Sequence, residues 1–261
     1  MRRSVVFIAA VAAALVLLSA SGCYRQELPE DQKWHWGIVG WDLSDFSDES
    51  VTTDHKEFPL GGAESIDAEI VMAAGVLELS GTSQAALEAE LAYRPTSLEP
   101  VVQYSVDGTV GSLSVRQPDT SVQRFGNYRN EWDLRLAKGV PLGMRVSLGA
   151  GEGDLDFSSL ELRTLDVQLG AGDVVMDFSG DYAEDVSAQV EAGVGSLTLR
   201  LPEDVGVRVS AEQSGIAAFE ADAGFTREGD AYVNEAYGQT SVTIEVSIQS
   251  GIGSIALETV R

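Results

Sequence analysis

One short pattern recurs along this chain and constrains its fold more than any other feature. It reads glycine, any residue, apolar, any residue, apolar. It occurs at Gly75-Val76-Leu77-Glu78-Leu79, Gly111-Ser112-Leu113-Ser114-Val115, Gly153-Asp154-Leu155-Asp156-Phe157 and Gly172-Asp173-Val174-Val175-Met176. It returns at Gly195-Ser196-Leu197-Thr198-Leu199, Gly215-Ile216-Ala217-Ala218-Phe219 and Gly253-Ser254-Ile255-Ala256-Leu257. The starting glycines are 36, 42, 19, 23, 20 and 38 residues apart, near one or two multiples of about 20. An alternating run leads into most of them, as in Leu165-Asp166-Val167-Gln168-Leu169. Alternation with period two is the signature of a strand with one buried face. Glycine suits a corner between two such strands, because it reaches backbone angles other residues avoid and lets neighbouring chains approach closely. The pattern predicts an all-β fold, a parallel β-solenoid of about 20-residue repeats. A β-sandwich is the alternative, since antiparallel strands alternate in the same way. Asp107-Gly108 is the one candidate hairpin turn in the less regular first part.

The N-terminus is of another kind. Arg2 and Arg3 precede an apolar run from Ser4 to Leu18, and small residues close it at Gly22. That run is shorter than the roughly 20 residues a spanning helix needs, and its layout is that of an export signal over residues 1–22. Cys23 follows at once and is the only cysteine of the chain. The run Ala20-Ser21-Gly22-Cys23 resembles the bacterial lipobox, with Ala20 where leucine is usual. Cys23 is therefore expected to carry lipid, with the protein on the extracytoplasmic side of a membrane. By the same resemblance, Tyr24 rather than aspartate after the cysteine points to the outer membrane in a cell with two, and otherwise to the outer face of the cytoplasmic membrane. Residues 23–58 read as a lipidated acidic tether. It holds an aromatic cluster, Trp34, His35, Trp36, Ile38, Val39 and Trp41, that would cap the solenoid or touch the membrane. Residues 59–261 are the expected solenoid domain.

Charge narrows the partners. The formal net charge is −24; without Arg2 and Arg3, 15 basic residues face 41 acidic ones, giving −26. That opposes binding to nucleic acid. The stretch from Arg116 to Trp132 gathers arginine and aromatic residues in this acidic chain. Arg124, Tyr128, Arg129 and Trp132 are its candidates for binding a partner. A second loop, Ala221 to Gln239, contains Tyr232, Asn234, Glu235 and Tyr237 and suits a small hairpin.

Catalytic signals are missing. The two histidines, His35 and His55, follow no zinc spacing, and no nucleophile elbow or phosphate loop is present. No metal site is expected. The best inorganic candidates are weak calcium ligands, Asp154, Asp156 and Asp173, with Asp173 beside Asp154 in the next coil. Serine at the matching places of other copies breaks that ladder. No cofactor and no enzymatic activity are expected.

A family likeness rests on particular runs. Gly149-Ala150-Gly151-Glu152-Gly153-Asp154-Leu155-Asp156-Phe157 and Gly193-Val194-Gly195-Ser196-Leu197-Thr198-Leu199-Arg200-Leu201-Pro202 resemble the bacterial toast-rack domain. So do Arg129-Asn130-Glu131-Trp132-Asp133-Leu134 and Tyr232-Val233-Asn234-Glu235-Ala236-Tyr237-Gly238. The chain is similar, more loosely, to LiaF-type envelope-stress proteins and adhesin domains. The resemblance implies a stacked β fold outside the cell membrane and supplies no catalytic residues. The expected function is a non-enzymatic, lipid-anchored scaffold or adhesin-like module that meets an envelope protein or a cell-wall polysaccharide. The alternatives are an envelope-stress sensing partner of a membrane protein and a carbohydrate-active enzyme on a β-helix.

Overall fold

The structure is a computed structural model that describes residues 50–119, 128–213 and 217–260. Cys23, the aromatic cluster Trp34–Trp41, Arg124 and Gly215 lie outside the described residues. The described chain is all-β. Its strands are β1 (Thr52–Phe58), β2 (Ser65–Ser83), β3 (Leu87–Arg94), β4 (Val101–Asp107), β5 (Val110–Arg116), β6 (Arg129–Ala137) and β7 (Pro141–Asp156). They continue with β8 (Glu161–Asp177), β9 (Val186–Pro202), β10 (Gly206–Gln213), β11 (Ala217–Ala221), β12 (Phe225–Glu228), β13 (Ala231–Asn234) and β14 (Thr243–Val260). All belong to one mixed sheet in the order β1-β3-β6-β2-β7-β8-β9-β14-β10-β13-β12, with β4-β5 attached to β2 and β11 to β14.

Five long strands, β2, β7, β8, β9 and β14, lie parallel and in register. Each has two arms joined at a glycine. In β7 the buried apolar side chains are Leu142, Met144, Val146 and Leu148 before the corner, and Leu155 after it. In β14 they are Ile244, Val246 and Ile248, then Ile255 and Leu257. The alternation slips by one residue at the corner, so both arms turn apolar side chains to the same side. The glycine responsible has φ of +150° at Gly75, +138° at Gly151, +143° at Gly172, +140° at Gly195 and +149° at Gly253. These five align rung by rung. A Cβ on Gly172 would lie 1.8 Å from the Gly151 carbonyl oxygen, and one on Gly195 1.8 Å from that of Gly172. Residues of both arms belong to one buried cluster. Each fully buried aliphatic side chain there contributes about 1.5–3 kcal/mol.

The ends of the stack close differently. Beyond β2, its first arm continues through β5 and β4 and its second through β6, β3 and β1. Phe58 of β1 meets Tyr104 of β4 edge-on at 6.3 Å, and the Tyr104 hydroxyl donates to the Leu60 carbonyl at 2.8 Å. Beyond β14, the first arm continues through β10, β13 and β12 and the second through β11. Phe219 of β11 stacks on Tyr232 of β13 at 4.4 Å. At each end an aromatic pair ties the two arms together.

Several expectations change. The about-20-residue interval holds from β7 to β9, where Met144 lies beside Leu165 and Thr164 beside Ser187. It fails beyond, because β14 enters between β9 and β10. Gly111 pairs with Ile66 rather than with a corner. Gly153 faces Val174, and the corner of β7 is Gly151, two residues earlier. Gly153 has apolar residues two and four places on, whereas Gly151 has only Leu155 at the fourth, so the spacing selected the wrong glycine. Thr52–Phe58, assigned to the tether, is a strand paired antiparallel with β3, so the sheet begins before residue 59. Asp107-Gly108 does start the β4–β5 hairpin, with Asp107 opposite Val110. The second loop does contain a hairpin, β12–β13.

Candidate functional site

The partner-binding candidates separate. Trp132 is 1% exposed and belongs to the core, its indole N–H donating to Asn130 Oδ1 at 2.8 Å. That burial removes it from any docking surface. Tyr128 is half-buried; burial raises its phenol above the ordinary value, and the hydroxyl donates to the Ala74 carbonyl at 2.5 Å. Gln117 Oε1 accepts from the Ala73 and Ala74 amides at 2.9 and 3.2 Å, and Asn130 Nδ2 donates to the Ala74 carbonyl at 2.8 Å. Tyr128, Asn130 and Gln117 thus pin the corner of β2, where the run of bent strands ends. Arg129 stays on the surface, 2.7 Å from Glu131, whose hydrogen bond raises its guanidinium further.

Asn234 does the equivalent work at the other end. It is 6% exposed, accepts from the Val207 amide at 2.9 Å, and donates to the Pro202 and Val205 carbonyls at 3.1 and 2.7 Å. Each of these buried asparagines has both ends of its amide satisfied, as burial requires.

The calcium candidates do not converge. Asp173 lies beside Glu152, whereas Asp154 lies beside Val175. Asp156 accepts from the Ser158 amide at 2.8 Å, and Asp173 from the Ser196 amide at 3.2 Å. Among the described residues no three His, Cys, Asp or Glu side chains gather closely enough to hold a metal. His55 sits on β1, 3.9 Å from Glu90. No helix among the described residues is long and apolar enough to cross a membrane.

The outward face of the first arms is where a site is built. Its side chains stand in columns, one per strand, about 4.8 Å apart. One column runs Ser112, Asp67, Gly143, Thr164, Ser187, Glu245. The next runs Ser114, Glu69, Arg145, Asp166, Gln189, Ser247. In the second, charges answer one another. Arg116 pairs with Glu69, and Arg145 Nε lies 3.5 Å from Asp166. A groove of about 510 Å³ opens across these columns around Gly143.

Gly143 differs from the corner glycines. Its backbone is in no left-handed region, and a Cβ there would meet only side-chain atoms, Asp67 Oδ1 at 3.0 Å and Thr164 Oγ1 at 3.1 Å. A glycine inside a strand is destabilising by roughly 0.5–1 kcal/mol relative to alanine. The missing side chain leaves a notch between Asp67 and Thr164. The register between β7 and β8 shifts at this rung, with Arg163 the extra residue, and such bulges accompany sites that re-aim side chains. Sequence reasoning missed Asp67, Gly143 and Arg145. The available signal was a glycine at an outward position of a clean alternation, Leu142-Gly143-Met144-Arg145-Val146.

Residues 46–200 match the family described as the N-terminal domain of toast_rack, DUF2154. The crystal structure of a "putative cell adhesion protein" from Clostridium sporogenes ATCC 15579 is 31% identical, with a TM-score of 0.75. The alignment covers 81% of this chain and 100% of that one. A "putative adhesin" from Bacteroides fragilis NCTC 9343 is 16% identical over 80% of this chain and 97% of its own, with a TM-score of 0.30. No curated protein matches.

Proposed function

Because the chain belongs to the toast-rack family, we propose that it is a non-enzymatic, adhesin-like module held at the cell envelope by lipid on Cys23. The observation that carries the reading is the 31% identical relative named for cell adhesion, matched along its whole length. The outward first-arm face adds to it. That face carries columns of polar side chains, and its groove is open, as suits holding a large surface rather than enclosing a small substrate. The strong negative charge favours a neutral or basic partner over a polyanion. Among envelope components, a protein or a wall polysaccharide meets that condition.

The same proposal gives the bent strands the role of solenoid coils. A straight 16-residue strand is about 50 Å long. Yet only residues 157–160 separate the end of β7 from the start of β8, and Pro141 pairs with Glu161. Four residues reach about 14 Å, so β7 has to double back for the pairing to close. A rigid coil of this kind holds an interaction face clear of the membrane at the end of a tether.

Two linked measurements test the proposal. In fractionated cells the lipoprotein is expected with membranes, and Cys23→Ser in the soluble extracytoplasmic fraction. The purified mature chain should bind saturably to isolated envelope fragments without releasing soluble products. Release of sugar or peptide fragments would overturn the non-enzymatic reading, and membrane retention of Cys23→Ser would overturn the anchor.

A further inference from the structure

We propose that the groove around Gly143 binds a neutral polysaccharide laid across the rungs of the sheet, a reading that rests on the adhesin-like function above. Four observations converge on it. First, Gly143 weakens its strand, and what it provides is a notch between Asp67 and Thr164. Second, among the described residues the Asp67 carboxylate has neither a hydrogen bond nor an ion pair, whereas Arg145 and Asp166 pair with each other in the adjoining column. The free carboxylate is a bidentate acceptor for two neighbouring hydroxyl groups. Third, the next rung supplies Ser187 and Gln189, so the Thr164 and Ser187 hydroxyls stand about 4.8 Å apart on neighbouring rungs, with the Gln189 amide in the adjoining column. A linear polymer with a similar repeat makes like contacts on successive rungs, and many weak contacts add up along it. Fourth, the groove carries one uncompensated negative charge on a chain of net charge −24, which repels acidic glycans. The ligand class is therefore rich in hydroxyl donors, without negative charge, and polymeric.

The test is affinity electrophoresis of the detergent-solubilised lipoprotein through gels containing dextran, hydroxyethylcellulose or mannan. Hyaluronan serves as the acidic polymer and chitosan as the basic one. At least one neutral polymer should retard the wild type, and hyaluronan should not. Gly143→Thr, which fills the notch, and Asp67→Asn, which halves the acceptor, should each weaken retardation about tenfold, the loss of one good polar contact. Asp67 is exposed, so Asp67→Asn keeps the melting temperature and reports on binding alone. Retardation by none of the neutral polymers overturns the proposal, as does retardation unchanged in both variants. Retardation by chitosan alone, lost in Asp67→Asn, reassigns the groove to a cation and also overturns it. Binding to envelope fragments, measured in parallel, separates the two levels. If it persists in Gly143→Thr, the module stands and the groove assignment falls. If wild type binds neither fragments nor polymers, both fall.

Discussion

The middle of the sheet and its two ends solve the same problem by different means. In the middle, β7, β8, β9 and β14 stack parallel, and each rung covers the next with apolar residues on the buried face and a glycine at the corner. Backbone sterics set the geometry there, through the aligned glycine corners. At the ends the pattern stops, and antiparallel strands, aromatic pairs and one buried asparagine per end take over. A stack of like rungs always leaves exposed edges and an open core, which repeats alone do not seal. The ends therefore carry the unique polar chemistry, Asn130 with Gln117 on one side and Asn234 on the other.

The comparison can be broken most forcefully at a corner. Gly172→Ala sets a Cβ 1.8 Å from the Gly151 carbonyl in a backbone conformation alanine avoids. We expect a loss of more than about 4 kcal/mol in urea denaturation, enough to prevent folding. A variant that folds with native stability means the corners are not sterically fixed. At the end, Asn234→Ala strands the Val207 amide and two carbonyls, and should lower stability by about 3 kcal/mol. An unchanged denaturation midpoint would show that this end needs no staple. Phe219→Ala removes half of the stacked pair with Tyr232, for about 2 kcal/mol, with amide exchange rising first in β11 and β13.

A smaller effect depends on pH. Partial burial of Asp222 opposes its ionisation, but the Thr259 amide and hydroxyl and the Gly224 amide donate to it and hold its carboxyl below the ordinary value. Its contribution is thus present above the unfolded carboxylate value of about 4, and fades as pH falls through the lower folded value. The stability gap between wild type and Asp222→Asn should be widest near neutrality and shrink in acid. A gap that widens in acid contradicts this. The smallest change expected is Gly143→Ala, within about 0.5 kcal/mol and towards greater stability, because only exposed side chains need give way. The same substitution that destroys a corner is then harmless in the notch.

Much of the middle was legible before any coordinates. Alternation marked the strands, and recurring glycines marked the corners of β2, β8, β9 and β14. What misled was Gly153, which fits the apolar spacing better than the true corner Gly151, and only the register across to Gly172 decides. Strand order was beyond reach, because intervals along a chain do not say which distant segment enters between β9 and β10. The ends were read least well. Trp132 stood among the binding candidates because its run is rich in arginine, and whether it is buried depends on the strands that fold over it. The groove at Gly143 escaped because glycine was treated as a sign of corners, and its meaning came from side chains on β2 and β8.

The placement of β14 has a consequence for how the molecule comes into being. Synthesis delivers β9 and β10 well before residues 243–260, which must lie between them. Until that last segment arrives, the inner edges of both strands are unpaired and the apolar side chains beneath them lack a cover. Coil-by-coil growth from one end therefore cannot complete this sheet. The nascent chain has to keep a slot open, slow to fill because its contacts are distant in sequence, and vulnerable to any stray strand in the meantime.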